Sequence, residues 1–178
     1  MSVGWLRAYA TDLTNAADRP YLEAMRVTHN FRKAYSAFGL VLLLEFLAQF
    51  YVIAVAMFDT LAKEMPFASS ADLTQAAPPN VDPFAAAHAV SGIFIIPPTI
   101  LIMVGLSLGA RHRRRTTALT AVLFLLVVIQ FALAVVGFLG VPLVAGLHGI
   151  NAIVMVGLGV YLVASNWEFG RVRGADRT

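Results

Sequence analysis

Four long apolar stretches dominate this chain, at about residues 34–58, 84–109, 117–138 and 142–164. Each is long enough to cross the roughly 30 Å hydrocarbon core of a bilayer as a helix. Only 13% of the residues are charged, against about 25% in ordinary soluble domains. With no water to satisfy peptide groups inside the bilayer, runs of this length must close their hydrogen bonds within themselves. The expected fold class is therefore all-α, an integral membrane four-helix up-down bundle. Gly140-Val141-Pro142 leaves room for only a tight turn, so spans three and four should be antiparallel neighbours. Pro97-Pro98 lies mid-way along span two and predicts a kink whose freed carbonyls need packed neighbours. The absence of cysteine excludes disulfides, thiolate metal sites, iron–sulfur clusters and covalently attached haem. No soluble domain and no solenoid-type repeat is discernible.

Charge placement suggests an orientation. Of 13 Lys and Arg, all but Lys63 fall before the first span, in Arg111–Arg115, or after Trp167. Those zones should share the cytoplasmic side, with both termini inside and the acidic loop 59–83 outside a plasma (inner) membrane. The arginine-rich loop reads as a topology anchor that meets anionic lipid heads, not as a nucleic-acid surface. His29 and His112, set among these cations, are expected to be solvated. Arg7, Asp12, Asp18 and Arg19 interrupt any signal-peptide core. Trp5, Leu6, Tyr9 and Leu13 recur at helical steps and predict a short amphipathic N-terminal helix at the interface. Asp18 is a candidate N-cap for a second helix with Pro20 in its first turn. This divides the chain into an interfacial segment 1–33, a transmembrane domain 34–166 and a tail 167–178.

Polar residues inside the apolar runs are costly and call for a reason. Glu45 and Gln49 share one face of span one, His88 lies near the start of span two, Gln130 is in span three, and His148 and Asn151 are in span four. Spans two and four run in the same direction, so His88 and His148 sit at matched depth, roughly 6–9 Å below the outer end. Matched imidazoles on parallel helices suit axial ligation of one haem iron. Ser91 and Gly92, one turn after His88, leave room near it, and Ser91, Gln130 or Asn151 would orient the free imidazole nitrogens. The same two histidines would also serve as interhelical hydrogen-bond partners for Gln49, Gln130 or Asn151. Glu45 is expected to be protonated or hydrogen-bonded to Gln49 or Gln130, either as a structural acid or as a proton-relay or quinone-facing group. Gln49 and Gln130 are placed to bond each other. Gly105 and Gly109 have the spacing of a small-residue packing face.

His88 with Gly92, Gln130 in the next span, and Leu147-His148-Gly149-Ile150-Asn151-Ala152 in the last resemble one four-helix half of the haem A synthase family. The layout is similar also to small four-span actinobacterial membrane proteins, and Gln49-Phe50-Tyr51 with Met57-Phe58 adds to the match. The resemblance spans about residues 35–165. It implies a cytochrome b-like bundle in which His88 and His148 ligate haem b and Gln130 takes the place of the third-helix glutamine. Two departures, Ala89 where the synthase has arginine and four spans where it has eight, argue against catalysis of haem modification. The reading is a membrane haem protein serving electron transfer or haem handling. Its partners would be the lipid bilayer, quinone, and respiratory or haem-biosynthesis membrane proteins, with pairing of two copies as a homodimer. A cofactor-free assembly subunit, and a small transporter lined by Glu45, Gln49, Gln130 and the histidines, are the alternatives.

Overall fold

The computed structural model describes residues 4–64 and 82–170, with side chains for 19–62, 82–141 and 143–170. All regular structure among them is helical. The elements are α1 (Gly4–Glu64), α2 (Pro83–Phe94), α3 (Ile96–Gly109), α4 (Arg114–Phe138) and α5 (Pro142–Ser165). Four segments are long and apolar enough to cross a membrane: Arg19–Ala62, Pro83–Gly109, Arg114–Phe138 and Leu143–Ser165. The chain is thus a multi-pass membrane protein with the expected four-helix up-down architecture.

The N-terminal region departs from expectation. The predicted break at Asp18 is absent, because α1 runs continuously for 61 residues with Pro20 inside it. At 1.5 Å per residue this helix is about 90 Å long, some three times the hydrocarbon thickness, so it must project well beyond the bundle. Trp5, Leu6, Tyr9, Leu13 and Asp18 belong to it, but their side chains lie outside the described residues, as do those of Lys63 and the loop residues 65–81.

The helices form a closed ring, α1 against α3, α3 against α4, α4 against α5, and α5 back against α1. Its core is concentrated toward the end that carries Arg111–Arg115, here called the arginine end. Tyr35, Leu42, Phe46, Ile96, Ile100, Met103, Leu123, Val127, Met155 and Leu162 are buried there. Polar side chains inside this half pair with one another, as groups shut away from water must. Tyr35 Oη lies 2.8 Å from Thr120 Oγ1, and both residues are fully buried. Ser107 Oγ donates to Val104 O at 2.7 Å and lies 3.2 Å from Thr117 Oγ1. Ser36 Oγ lies 2.9 Å from Asn166 O and receives the Glu168 N–H at 3.1 Å, tying α1 to the end of α5.

The opposite end, which carries both candidate histidines, is built differently. Asp82 caps α2 by accepting from Phe84 N at 2.7 Å and Ala85 N at 3.1 Å, with Pro83 at the first helical position. Pro97 and Pro98 have no N–H to give Ile93 O and Phe94 O, and the helix breaks at Ile95 as expected. Past the break α3 packs between α1 and α4. Before it α2 touches only α1 and α3, with no α2 Cα within 8 Å of one in α4 or α5. No residue of α2 is buried, and the buried positions of α4 stop at Val127. The histidine end is consequently open between α2 on one side and α4 with α5 on the other.

Close approach at the arginine end depends on glycine. A Cβ on Gly39 would lie 2.7 Å from Val163 Cγ2, a stiff side chain that is itself nearly buried. Gly39→Ala should cost about 1–3 kcal/mol by wedging α1 from α5. Val163→Ala in the same chain should recover part of that loss. Unfolding in mixed detergent micelles checks this as a double-mutant cycle, and additive effects would count against the wedge.

Candidate functional site

His88 comes from the capped first half of span two, and His148 from the second turn of α5, whose Pro142 sits at the helix start. The two helices are diagonal in the ring, yet the rings meet across it, with centroids 6.4 Å apart and an interplanar angle of 64°. Metal–imidazole bonds are about 2.0–2.1 Å and a ring nitrogen lies about 1.1 Å from its own centroid, so imidazoles on opposite faces of one metal have centroids about 6.3 Å apart. Axial rings can rotate about their common axis, so an angle of 64° is compatible with that arrangement.

Each imidazole is only half buried. His148 Nδ1 lies 3.1 Å from the carbonyl oxygen of Gln130. A carbonyl can only accept, so Nδ1 carries the proton and the lone pair resides on Nε2, the tautomer a metal ligand needs. His88 Nδ1 is buried without an aligned hydrogen-bond partner, and the polar group beside the ring is the Gln49 main chain. Among the described residues no group of three or more His, Asp or Glu could hold a metal ion, so the two imidazoles stand as a pair.

The neighbours are small or polar. Gly92 follows His88 by one turn, and a Cβ there would sit 4.0 Å from Gln49 Oε1, so Gln49 leans toward α2. Gly146 and Gly149 flank His148 with open space where a Cβ would go. Ser91, half buried, gives its carbonyl to Ile95 N–H at 3.0 Å. Asn151 divides its two amide protons between Leu126 O at 2.9 Å and Gln130 Oε1 at 2.6 Å.

Several partners differ from those expected. Gln130 orients His148 through its backbone carbonyl, while its side chain is engaged by Asn151. Gln49 and Gln130 are not hydrogen-bonded to each other: Gln49 leans toward α2, and the Gln130 side chain is taken by Asn151 on the neighbouring helix. Glu45 bonds neither glutamine; its Oε1 accepts from Thr99 Oγ1 at 3.3 Å, and Oε2 is buried without a partner. The same Thr99 hydroxyl reaches Ile95 O at 2.9 Å, so Glu45 stands against the proline break and not among the histidines. The signal available in sequence was only that Thr99 lies beside the proline pair; a Thr hydroxyl inside a helix commonly back-bonds to the carbonyl four residues earlier, as it does here to Ile95 O. Gly109 is not a free packing face, because Phe31 of α1 fills the space at 2.7 Å from where its Cβ would be.

Two further histidines also depart from expectation. His29 Nδ1 lies 3.3 Å from Glu168 Oε1. His112 packs on Tyr35 with centroids 4.9 Å apart, and its Nε2 is buried without a partner.

No family model, curated protein or solved structure matches the chain, so the site stands on its own geometry.

The Gln130–Asn151 bond is testable apart from any cofactor. Asn151→Leu and Gln130→Leu should each lower stability by about 0.5–2 kcal/mol, and the double variant by less than their sum. Thermal unfolding in detergent measures this; strict additivity would remove the bond as a stabilising element.

Proposed function

We propose that this chain is a b-type haem protein of the plasma membrane, with one haem held between His88 and His148 and serving electron transfer or haem handling. The observation that carries the reading is the pair of imidazoles 6.4 Å apart on diagonal helices, in the half of the bundle that lacks a packed core. The Gln130 carbonyl holds His148 in the tautomer with a free Nε2, and Asn151 holds Gln130 in turn. Gly92, one turn after His88, keeps the space beside that ring free of bulk. Haem bound there would supply one-electron chemistry at its iron.

In this reading the arginine end faces the cytoplasm and the histidines lie toward the outer face. Asn80 and Thr74 of the 59–83 loop, with backbone N–H groups, would be the polar partners available to haem propionates; both residues lie outside the described residues. The open side between α2 and α4 is where quinone, a respiratory or haem-biosynthesis membrane protein, or a second copy of this chain would approach. Ala89 and the single bundle favour a role in holding haem over one in modifying it. A second reading is supported by the same distance, because 6.4 Å and 64° also suit two rings in direct edge-to-face contact. The protein would then be a cofactor-free assembly subunit.

A pyridine haemochrome spectrum of the detergent-purified protein, from cells supplied with haem precursor, separates the two. The expected result is about one haem b per chain with a low-spin spectrum, lost in His88→Ala and in His148→Ala while the helical circular dichroism persists. A colourless preparation, or a Soret band unchanged in the double variant, would overturn the haem reading in favour of the assembly subunit.

A further inference from the structure

The arginine end holds a second feature that the haem reading does not use. A partly enclosed cavity of about 530 Å³ opens there, between α1, the α3–α4 turn and the end of α5. Arg32, Arg111, Arg113 and Arg115 line it, against one carboxylate, Glu168. That carboxylate lies 3.3 Å from His29 Nδ1. Arg32 and Arg115 are held in place: Arg32 Nε donates to Ala110 O at 3.4 Å, and the Arg115 guanidinium lies 5.8 Å from the Tyr161 ring centre. The cavity therefore carries a surplus of fixed positive charge.

Three local details point to an anion. First, α4 begins at this cavity with neither a side-chain cap nor an acidic residue in its first turn. Its N-terminus instead has three arginines, Arg113 to Arg115, which is the unfavourable sign for the helix dipole unless an anion is added.

Second, α3 ends in a Schellman turn. Arg111 N–H bonds Leu108 O at 3.0 Å and His112 N–H bonds Ser107 O at 3.1 Å. The left-handed position of that turn, which ordinarily takes glycine, is occupied by Arg111 at φ +49°. Backbone geometry alone disfavours arginine there, so its presence points to the side chain.

Third, His112 lines the same cavity with Nε2 buried and unpartnered. Burial, and after it the Arg32 charge, hold the His112 pKa below its usual value, with Glu168 pulling the other way. The imidazole is thus neutral, with a ring nitrogen that lacks a partner.

The cavity lies at the ends of the spans that finish at Gly109 and Ser165 and of the span that starts at Arg114. That is the level of lipid headgroups. Arginine forks match phosphate oxygens two at a time, and basic pockets between spans suit anionic headgroups.

We infer that this cavity is a phosphate-binding site for the headgroup of an anionic phospholipid, read by Arg111, Arg113, Arg115 and His112. Arg32 walls it and Glu168 marks its limit.

The test uses the full chain in a neutral detergent. Native mass spectrometry and thermal unfolding are recorded with phosphatidic acid, with phosphatidylcholine, and with inorganic pyrophosphate without lipid. Phosphatidic acid should be retained and should raise the unfolding temperature, and phosphatidylcholine should do neither. Arg111→Gly should fold at least as well as the wild type, because glycine suits the turn, yet bind about tenfold more weakly. Arg113→Gln should weaken binding similarly. Pyrophosphate binding that displaces phosphatidic acid would confirm the phosphate site while assigning it to a soluble phosphate compound. Equal retention of the two lipids with no pyrophosphate binding would overturn the inference, as would undiminished binding in the Arg111→Gly/Arg113→Gln variant. The outcome is independent of haem content.

Discussion

Polar groups inside a hydrocarbon layer have no water to fall back on, and the arrangement of this bundle follows from how that requirement is met. Pro97 and Pro98 remove two backbone donors in the middle of span two, and the span divides into α2 and α3 at Ile95. The Thr99 hydroxyl back-bonds to the Ile95 carbonyl, which also accepts the Thr99 N–H, and reaches Glu45 on α1, so α1 is tied to the start of α3 just past the break. Past the break α3 continues the ring of packed helices. Before it the α2 backbone keeps away from α4 and α5, and the side chains of His88 and His148 come together across the gap.

The two ends of the bundle are therefore different materials. At the arginine end, large apolar side chains interdigitate, hydroxyls pair across helices, and Gly39 and Gly159 let α1 and α5 approach closely. At the histidine end the residues are small or polar, and among described residues of α1 beyond Phe46 only Ala56 is buried. Sparse packing lowers the cost of local opening at that end. The compact end positions the arginines of the α3–α4 turn, where a Schellman turn and an uncapped helix start are adjacent.

Much of this was legible before any coordinates. Span number, the kink, the tight outer turn and the histidine pair follow from apolar length, from proline chemistry and from helical rise. What was not legible has a common cause. Periodicity tells which residues share a face of one helix, but not which helices are diagonal. Gln49 and Gln130 were therefore expected to bond, although α1 and α4 are diagonal in the ring and their backbones stay apart. Composition marked Gln130 as polar, but a main-chain carbonyl has no sequence signature, so its role toward His148 was missed. Asp18 and Pro20 read locally as a helix start, yet α1 runs through from Gly4 to Glu64 with Pro20 inside it. His112 sits among arginines in sequence, which suggested solvent, whereas the turn folds it back onto Tyr35.

By itself, the sequence determined that this chain must be a four-span helical bundle with two histidines at one level and a belt of arginines at the other end. Length, apolarity and charge placement leave no other solution in a medium without water. The tertiary structure decided the separation of the two rings, the tautomer of His148, the isolation of Glu45 at the break and the cavity around Arg111. Those depend on how helices cross and where one bends, and packing between residues far apart in the chain sets both.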